Sequence, residues 1–142
     1  MKRLNKKRLN FDEKVYEGEG RILKMKKAYR EYFHVAQGMT SKSEHPRFHH
    51  GSVVVMRNTI IGKGSNYGFI HAEVSSLLNC ENVSKSKSFL DQLVVFVCRV
   101  NSQGLFMNSK PCYGCQRFMK RMGINKVIYT IDEDTVGKMR FD

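Results

Sequence analysis

Nowhere does the chain run the roughly eighteen consecutive apolar residues that a bilayer-crossing helix needs, which excludes a membrane-spanning helix. Its first residues carry charge without the apolar stretch of a secretory leader. The expectation is an intracellular protein, cytoplasmic or, given its basic start, nuclear, with no membrane partner. Cysteine is scarce, four in 142 residues. Two of the four sit at metal-ligand spacing, which fits a reducing compartment better than a disulfide scaffold. No internal repeat is present. Acidic residues are also in short supply, 13 Asp and Glu against 25 Lys and Arg, so the formal net charge is +12. That imbalance favours an anionic partner, either a nucleic acid or a phosphorylated small molecule drawn by the field of the surface.

What is present describes an ordinary globular domain, with 41% apolar and 27% charged residues in a length that buries a core. Residues 1–20 read as a basic N-terminal arm carrying Lys2, Arg3, Lys6, Lys7 and Arg8, and residues 21–142 as a single domain. Apolar residues at Ile22, Met25, Tyr29, Phe33 and Ala36 recur every three or four positions and predict a helix, with Gly38 as its stop. Thr40 to His50 is polar, contains Pro46, and reads as a loop. Ser52–Met56 and Thr59–Gly62 flank Arg57-Asn58 and predict a hairpin. Val74, Leu77 and Leu78 predict a helix starting near His71, and Leu93–Val100, apolar almost throughout, a central strand covered on both faces. Cys112–Met122 predicts another helix, capped by Gly123, and Lys126–Tyr129 a further strand. Beyond Thr130 the residues are too polar to assign. The result is a mixed sheet with helices packed on it.

Two short motifs carry chemistry. His71-Ala72-Glu73 and Pro111-Cys112-Tyr113-Gly114-Cys115 together supply an imidazole, two thiolates and one carboxylate that need not bind metal. Three protein ligands on Zn2+ leave a fourth position for water, whose pKa the metal lowers to about 7. Alone, each motif is ambiguous. His and Glu two apart occur by chance at helix starts, and C-x-x-C also serves structural zinc sites and redox pairs. A structural four-cysteine site lacks its second half, because Cys80 and Cys98 lie far apart in apolar surroundings. A redox pair leaves His71 and Glu73 unexplained. Both motifs fall where helices begin, where amide groups and the helix dipole favour thiolate.

The order H-x-E then P-C-x-x-C is the signature of zinc nucleobase deaminases, and the chain resembles the cytidine deaminase-like superfamily on its CMP/dCMP side. The resemblance spans about residues 50–132. It rests on the two motifs, on His50-Gly51-Ser52-Val53-Val54-Val55 and Ile61-Gly62-Lys63-Gly64-Ser65-Asn66, and on Met122-Gly123-Ile124-Asn125-Lys126-Val127-Ile128-Tyr129. It implies a three-layer α-β-α fold, a mixed central sheet with helices on both faces. It implies Zn2+ held by His71, Cys112 and Cys115, with Glu73 as the proton shuttle of a hydrolytic deamination. Asn66 and the amide of Ala72 are implied as substrate contacts, with His50 a weaker candidate. Tyr67 and Phe69 either stack on a base or pack in core or lid, and His45 and His49, with no cysteine near them, are not assigned to an accessory metal. The implied substrate is a cytosine nucleoside or nucleotide, and the implied assembly a homo-oligomer. Two alternatives stay open: a deaminase editing cytosine or adenine in RNA or single-stranded DNA, and a zinc-stabilised nucleic-acid-binding module without activity. Serine stands at position 52 where relatives often have alanine, and only four residues separate Asn66 from His71.

Overall fold

The computed structural model describes residues 20–43, 49–67, 70–80 and 86–141. The basic arm, His45 and Phe69 lie outside the described residues. Strand β1 (Arg21–Lys24) leads into helix α1 (Lys27–Thr40). The hairpin β2 (His49–Met56) and β3 (Thr59–Ser65) precedes α2 (Ala72–Leu78) and the short α3 (Lys87–Leu90). Then come β4 (Leu93–Val100), β5 (Phe106–Met107), α4 (Tyr113–Met122), β6 (Lys126–Thr130) and β7 (Thr135–Arg140).

The strands form one sheet in the order β1-β7-β6-β4-β2-β3, with β5 attached to β4. The β4–β6 pair is parallel and the others are antiparallel, so the sheet is mixed. Strand alternation sorts its side chains into two cores. Val53, Val55, Phe96, Cys98 and Ile128 meet Phe33 and Ala36 of α1 on one face. Val54, Val95, Val97 and Val127 meet Leu77 of α2 and Cys115 and Met119 of α4 on the other. These are the three layers the sequence implied. β4 is central and covered on both sides, which is why it reads as a nearly unbroken apolar run.

Four features differ from the sequence reading. Residues 21–24 form an edge strand on β7 rather than the first helical turn, because Leu23 and Val136 pair across the register. The helix runs through Gly38 to Thr40, since Gly38 lies on an open face where no packing marks it as a stop. β2 begins already at His49, paired with Val100. The polar stretch after Thr130 returns as β7, antiparallel to β6, with Gly137 lying under the Tyr129 ring, where a Cβ would come within 2.1 Å of it. The Arg57-Asn58 turn is as expected, both residues at positive φ (48° and 68°), the two-residue geometry that matches strand twist.

Candidate metal centre

Both halves of the centre are built alike. His71 is the N-cap of α2 and Cys112 the N-cap of α4, each with extended backbone. Each carbonyl accepts the first intrahelical hydrogen bond, from Ser75 N–H at 2.9 Å and from Gln116 N–H at 3.0 Å. Cys115 follows three positions after Cys112, so the helical repeat returns its thiol to the same side. His71 Nδ1 lies 3.5 Å from Cys112 Sγ and 3.2 Å from Cys115 Sγ. All three ligand atoms fall within 4.8 Å of one another. Bonds of about 2.3 Å to sulfur and about 2.0 Å to nitrogen in a tetrahedron set N and S roughly 3.5 Å apart, so the donor set fits Zn2+ with little movement.

Electrostatics distinguish the two thiols. The neighbouring Cys115 thiol, helped by the N–H groups of Cys115 and Gly114 and by His71, holds Cys112 down to about 5. The same contact, together with burial, pushes Cys115 up. Without metal the pair shares a proton. A metal ligated by both sulfurs requires both as thiolates and releases it. Glu73 is buried, and removal from water pushes its carboxyl up to about 7. It acts on His71, Cys112 and Cys115 through space, which sets it beside the centre.

What holds α2 at this depth was not read as such in the sequence. A Cβ on Gly62 would approach the Ser76 carbonyl oxygen to 2.4 Å, and one on Gly64 the Ser76 nitrogen to 2.4 Å. The alternate glycines of β3 therefore admit the α2 backbone directly onto the strand. Ser52 Oγ lies 2.9 Å from Ser76 Oγ, which donates to the Glu73 carbonyl at 2.9 Å. The serine at position 52 thus anchors the turn that carries Glu73. On the other half, Gln116 Nε2 donates to the Pro111 carbonyl at 3.0 Å. Ser109 Oγ lies 2.9 Å from the Val97 carbonyl oxygen and 3.1 Å from that of Thr130, fastening the loop before Cys112 to two strand ends. Buried Ser and Gln beside a C-x-x-C were the available signal.

The other candidates divide. Asn66 Oδ1 accepts from the His50 N–H at 3.0 Å and from Ser43 Oγ at 2.5 Å, so Asn66 and His50 form one cluster at the ends of β3 and β2. Ala72 is fully buried in the first turn of α2. Tyr67 closes back on Ile70 through two backbone hydrogen bonds, which is how four residues suffice between Asn66 and His71. A cavity of about 380 Å³ opens beside the metal ligands, lined chiefly by Ile70, His71, Val74, Cys112, Cys115 and Phe118. Asn66, His50 and Glu73 lie outside its lining. A larger one, about 590 Å³, lies along the outer edge of β3 and gathers no metal-ligating cluster among the described residues.

The model of the cytidine and deoxycytidylate deaminase zinc-binding region matches residues 26–131. Among solved structures, the fold is similar to dCMP deaminase from the cyanophage S-TIM5 (TM-score 0.57, 22% identity, covering 75% of this chain and 86% of that one). It is also similar to RibD from Acinetobacter baumannii (TM-score 0.53, 19% identity, covering 74% of this chain), of which it spans only 28%. A third similar structure is the diaminohydroxyphosphoribosylaminopyrimidine deaminase/5-amino-6-(5-phosphoribosylamino)uracil reductase of Thermotoga maritima (TM-score 0.51, 19% identity, 72% of this chain and 29% of that one). No curated protein matches the chain in sequence.

Proposed function

Because this chain belongs to the cytidine and deoxycytidylate deaminase zinc-binding family, we propose that it is a zinc-dependent hydrolytic deaminase of a free cytosine nucleoside or nucleotide. The reading is carried by one observation: His71 Nδ1, Cys112 Sγ and Cys115 Sγ converge within 4.8 Å at two helix starts, beside a buried glutamate that the metal does not need. Zn2+ held by those three residues supplies a Lewis acid that makes water nucleophilic at neutral pH.

The rest falls to the chain. Glu73 accepts a proton from the attacking water and delivers one to the ring nitrogen. It then takes the proton of the hydroxyl added at the amino-bearing carbon and delivers it to the departing amine, so that the carbonyl forms and ammonia leaves rather than amide anion. The buried Ala72 amide and Asn66, whose oxygen is already oriented by His50 and Ser43, are assigned to holding the substrate. His50 supports Asn66 through its main chain. Two of the solved neighbours, the S-TIM5 and Thermotoga maritima enzymes, are named for amino-pyrimidine nucleotides, and the S-TIM5 enzyme also has a structure in complex with dCMP and dUMP, which supports a nucleotide over a free base. The outer edges of β1 and β3 are unpaired among the described residues, which leaves room for a homo-oligomer.

The test is ammonia release by the zinc-loaded protein across cytosine, cytidine, CMP, dCMP, adenosine, single-stranded DNA and tRNA, beside its Glu73→Ala variant. Release from a cytosine nucleoside or nucleotide that vanishes in the variant is the expected result. Release from a polymer alone, or turnover that survives Glu73→Ala, sinks the reading.

A further inference from the structure

Cys112 and Cys115 have a second reaction open to them besides metal binding. Cys112 is the extended N-cap of α4, and Cys115 follows it within the first helical turn. Helical residues at that spacing hold their Cβ atoms about 5–6 Å apart, whereas a disulfide needs about 3.5–4.5 Å. The N-cap backbone is not yet helical, so it closes that small gap without unwinding α4. The two sulfurs already fall within 4.8 Å of each other, and His71 Nδ1 lies 3.5 and 3.2 Å from them. Their exposure differs. Cys112 is open to solvent and Cys115 is buried, and both line the cavity of about 380 Å³ beside the centre, which gives a small reagent a way in.

We propose that Cys112 and Cys115 are an oxidation site: a hydroperoxide converts the pair into an intramolecular disulfide, and the disulfide displaces the zinc ion. The Cys112 thiolate attacks the terminal peroxide oxygen. An S–O bond forms, the O–O bond breaks, and the leaving oxygen takes a proton from solvent, so that Cys112 becomes a sulfenic acid. The Cys115 thiolate then attacks that sulfur. An S–S bond forms, the S–O bond breaks, and the second oxygen leaves as water with another proton from solvent. Two thiolates have lost two electrons and the peroxide has gained them.

The division of labour follows from position. The exposed sulfur meets the oxidant, and the buried one resolves the intermediate before a second peroxide arrives. The other two cysteines are unsuited to either part. Cys98 belongs to the core on the opposite face of the sheet from Cys115. Cys80 lies beyond the far end of α2 from His71 and donates its S–H to the Ser76 carbonyl at 3.4 Å. Zinc needs thiolate ligands, and once the sulfurs are bonded to each other only His71 of the three donors remains. An exposed disulfide is readily reduced, so dithiols reverse the change. The displacement rests on the metal-ligand assignment made above, and no part of it depends on the substrate.

The experiment exposes the zinc-loaded full chain to graded amounts of hydrogen peroxide and reads two quantities on the same samples. One is zinc released to a chromogenic chelator. The other is the set of thiols still open to iodoacetamide after denaturation, located by peptide mass mapping. We expect one zinc ion released for every two thiols lost, with Cys112 and Cys115 joined in a single tryptic peptide lighter by two hydrogens. The oxidised chain should bind zinc at least about a hundredfold more weakly, since two of three ligands are gone, and dithiothreitol followed by zinc should restore the original content. Cys80→Ala/Cys98→Ala should behave as wild type, and Cys80→Ala alone replaces it should the double variant fold poorly. Loss of the two thiols with zinc retained overturns the displacement. Zinc release with Cys112 carried on to sulfinic acid, or with both thiols still open to iodoacetamide, overturns the disulfide. Intact thiols and retained zinc under a large excess of peroxide overturn both. A chain that never binds zinc sinks the metal assignment and the displacement with it, while the peptide mapping still decides whether the disulfide forms.

Discussion

Glu73 concentrates the conflict between stability and chemistry at a single residue. Its carboxyl is buried beside His71, Cys112 and Cys115, and burial is the main reason its pKa rises to about 7. A charged group removed from water lowers stability unless it is fully compensated. Replacing it by glutamine keeps the shape, removes the ionisable proton and leaves the ligands in place. Metal-free Glu73→Gln is therefore expected to unfold at a urea concentration no lower than metal-free wild type, while zinc-loaded Glu73→Gln releases ammonia at least about a hundredfold more slowly. Urea unfolding followed by circular dichroism, with an ammonia assay on the same preparations, measures both. A variant that unfolds much earlier would show Glu73 to be a structural hydrogen-bonding residue. At this scale the sequence was most legible, because His71, Cys112 and Cys115 are identified by residue type and spacing alone and the structure brings them together. Asn66 was less so: its carboxamide oxygen is engaged by His50 and Ser43, two partners that lie far from it in the chain.

Among the secondary-structure elements, the contact that sets the depth of α2 is made by glycines. Gly64 on β3 faces Ser75 and Ser76, and a Cβ there would lie within 2.7 Å of three of their atoms unless one or the other element moved. Gly64→Ala should cost about 1–3 kcal/mol, as overpacking does, and should lower activity as well, because the displaced turn carries Glu73. Gly38, in the exposed face of α1, has nothing within 4 Å of its Cβ position, so Gly38→Ala should raise stability by roughly 0.5–1 kcal/mol through helix propensity. Opposite signs for one chemical change, read from urea midpoints, test the packing directly. Equal small effects would mean that β3 and α2 are not in close contact. The same logic explains what could be read from the sequence. β4 and the β2–β3 hairpin announce themselves through apolar runs and a turn, and α4 through its periodicity and Gly123. β1 and β7 do not, because β1 is the edge strand, β7 lies next to it, and together they carry Arg21, Lys24, Lys138 and Arg140 in segments that look like solvated loop or helix. Their pairing is a property of the register, which no local pattern contains.

For the whole molecule, Zn2+ held by the proposed ligands His71, Cys112 and Cys115 would cross-link two helices that lie far apart in sequence. α2 packs mainly on β3 and β2, whereas α4 contributes Cys115 and Met119 to the core over β4 and β6. Cys112 and Cys115 stand 41 and 44 positions after His71. A Zn2+ ion bound to all three exists in the folded chain and not in the unfolded one, so binding and folding are linked. With free zinc at a hundred times its dissociation constant the linkage contributes about 2.7 kcal/mol. For a chain of this length that is roughly 5–10 °C in melting temperature. Chelation should lower the midpoint by that amount and re-addition of zinc should restore it. Cys112→Ser should no longer respond to zinc, because a hydroxyl at the start of α4, although a good helix N-cap, does not replace the thiolate as a zinc ligand. Cys98, buried on the opposite face of the sheet and pushed up to about 12 by burial, is chemically inert by comparison, so Cys98→Ser should keep the full zinc response even where its own midpoint falls. If Cys112→Ser still gained stability with zinc, the metal would have to be bound elsewhere in the chain, and the assignment of the two helix starts as one centre would be wrong.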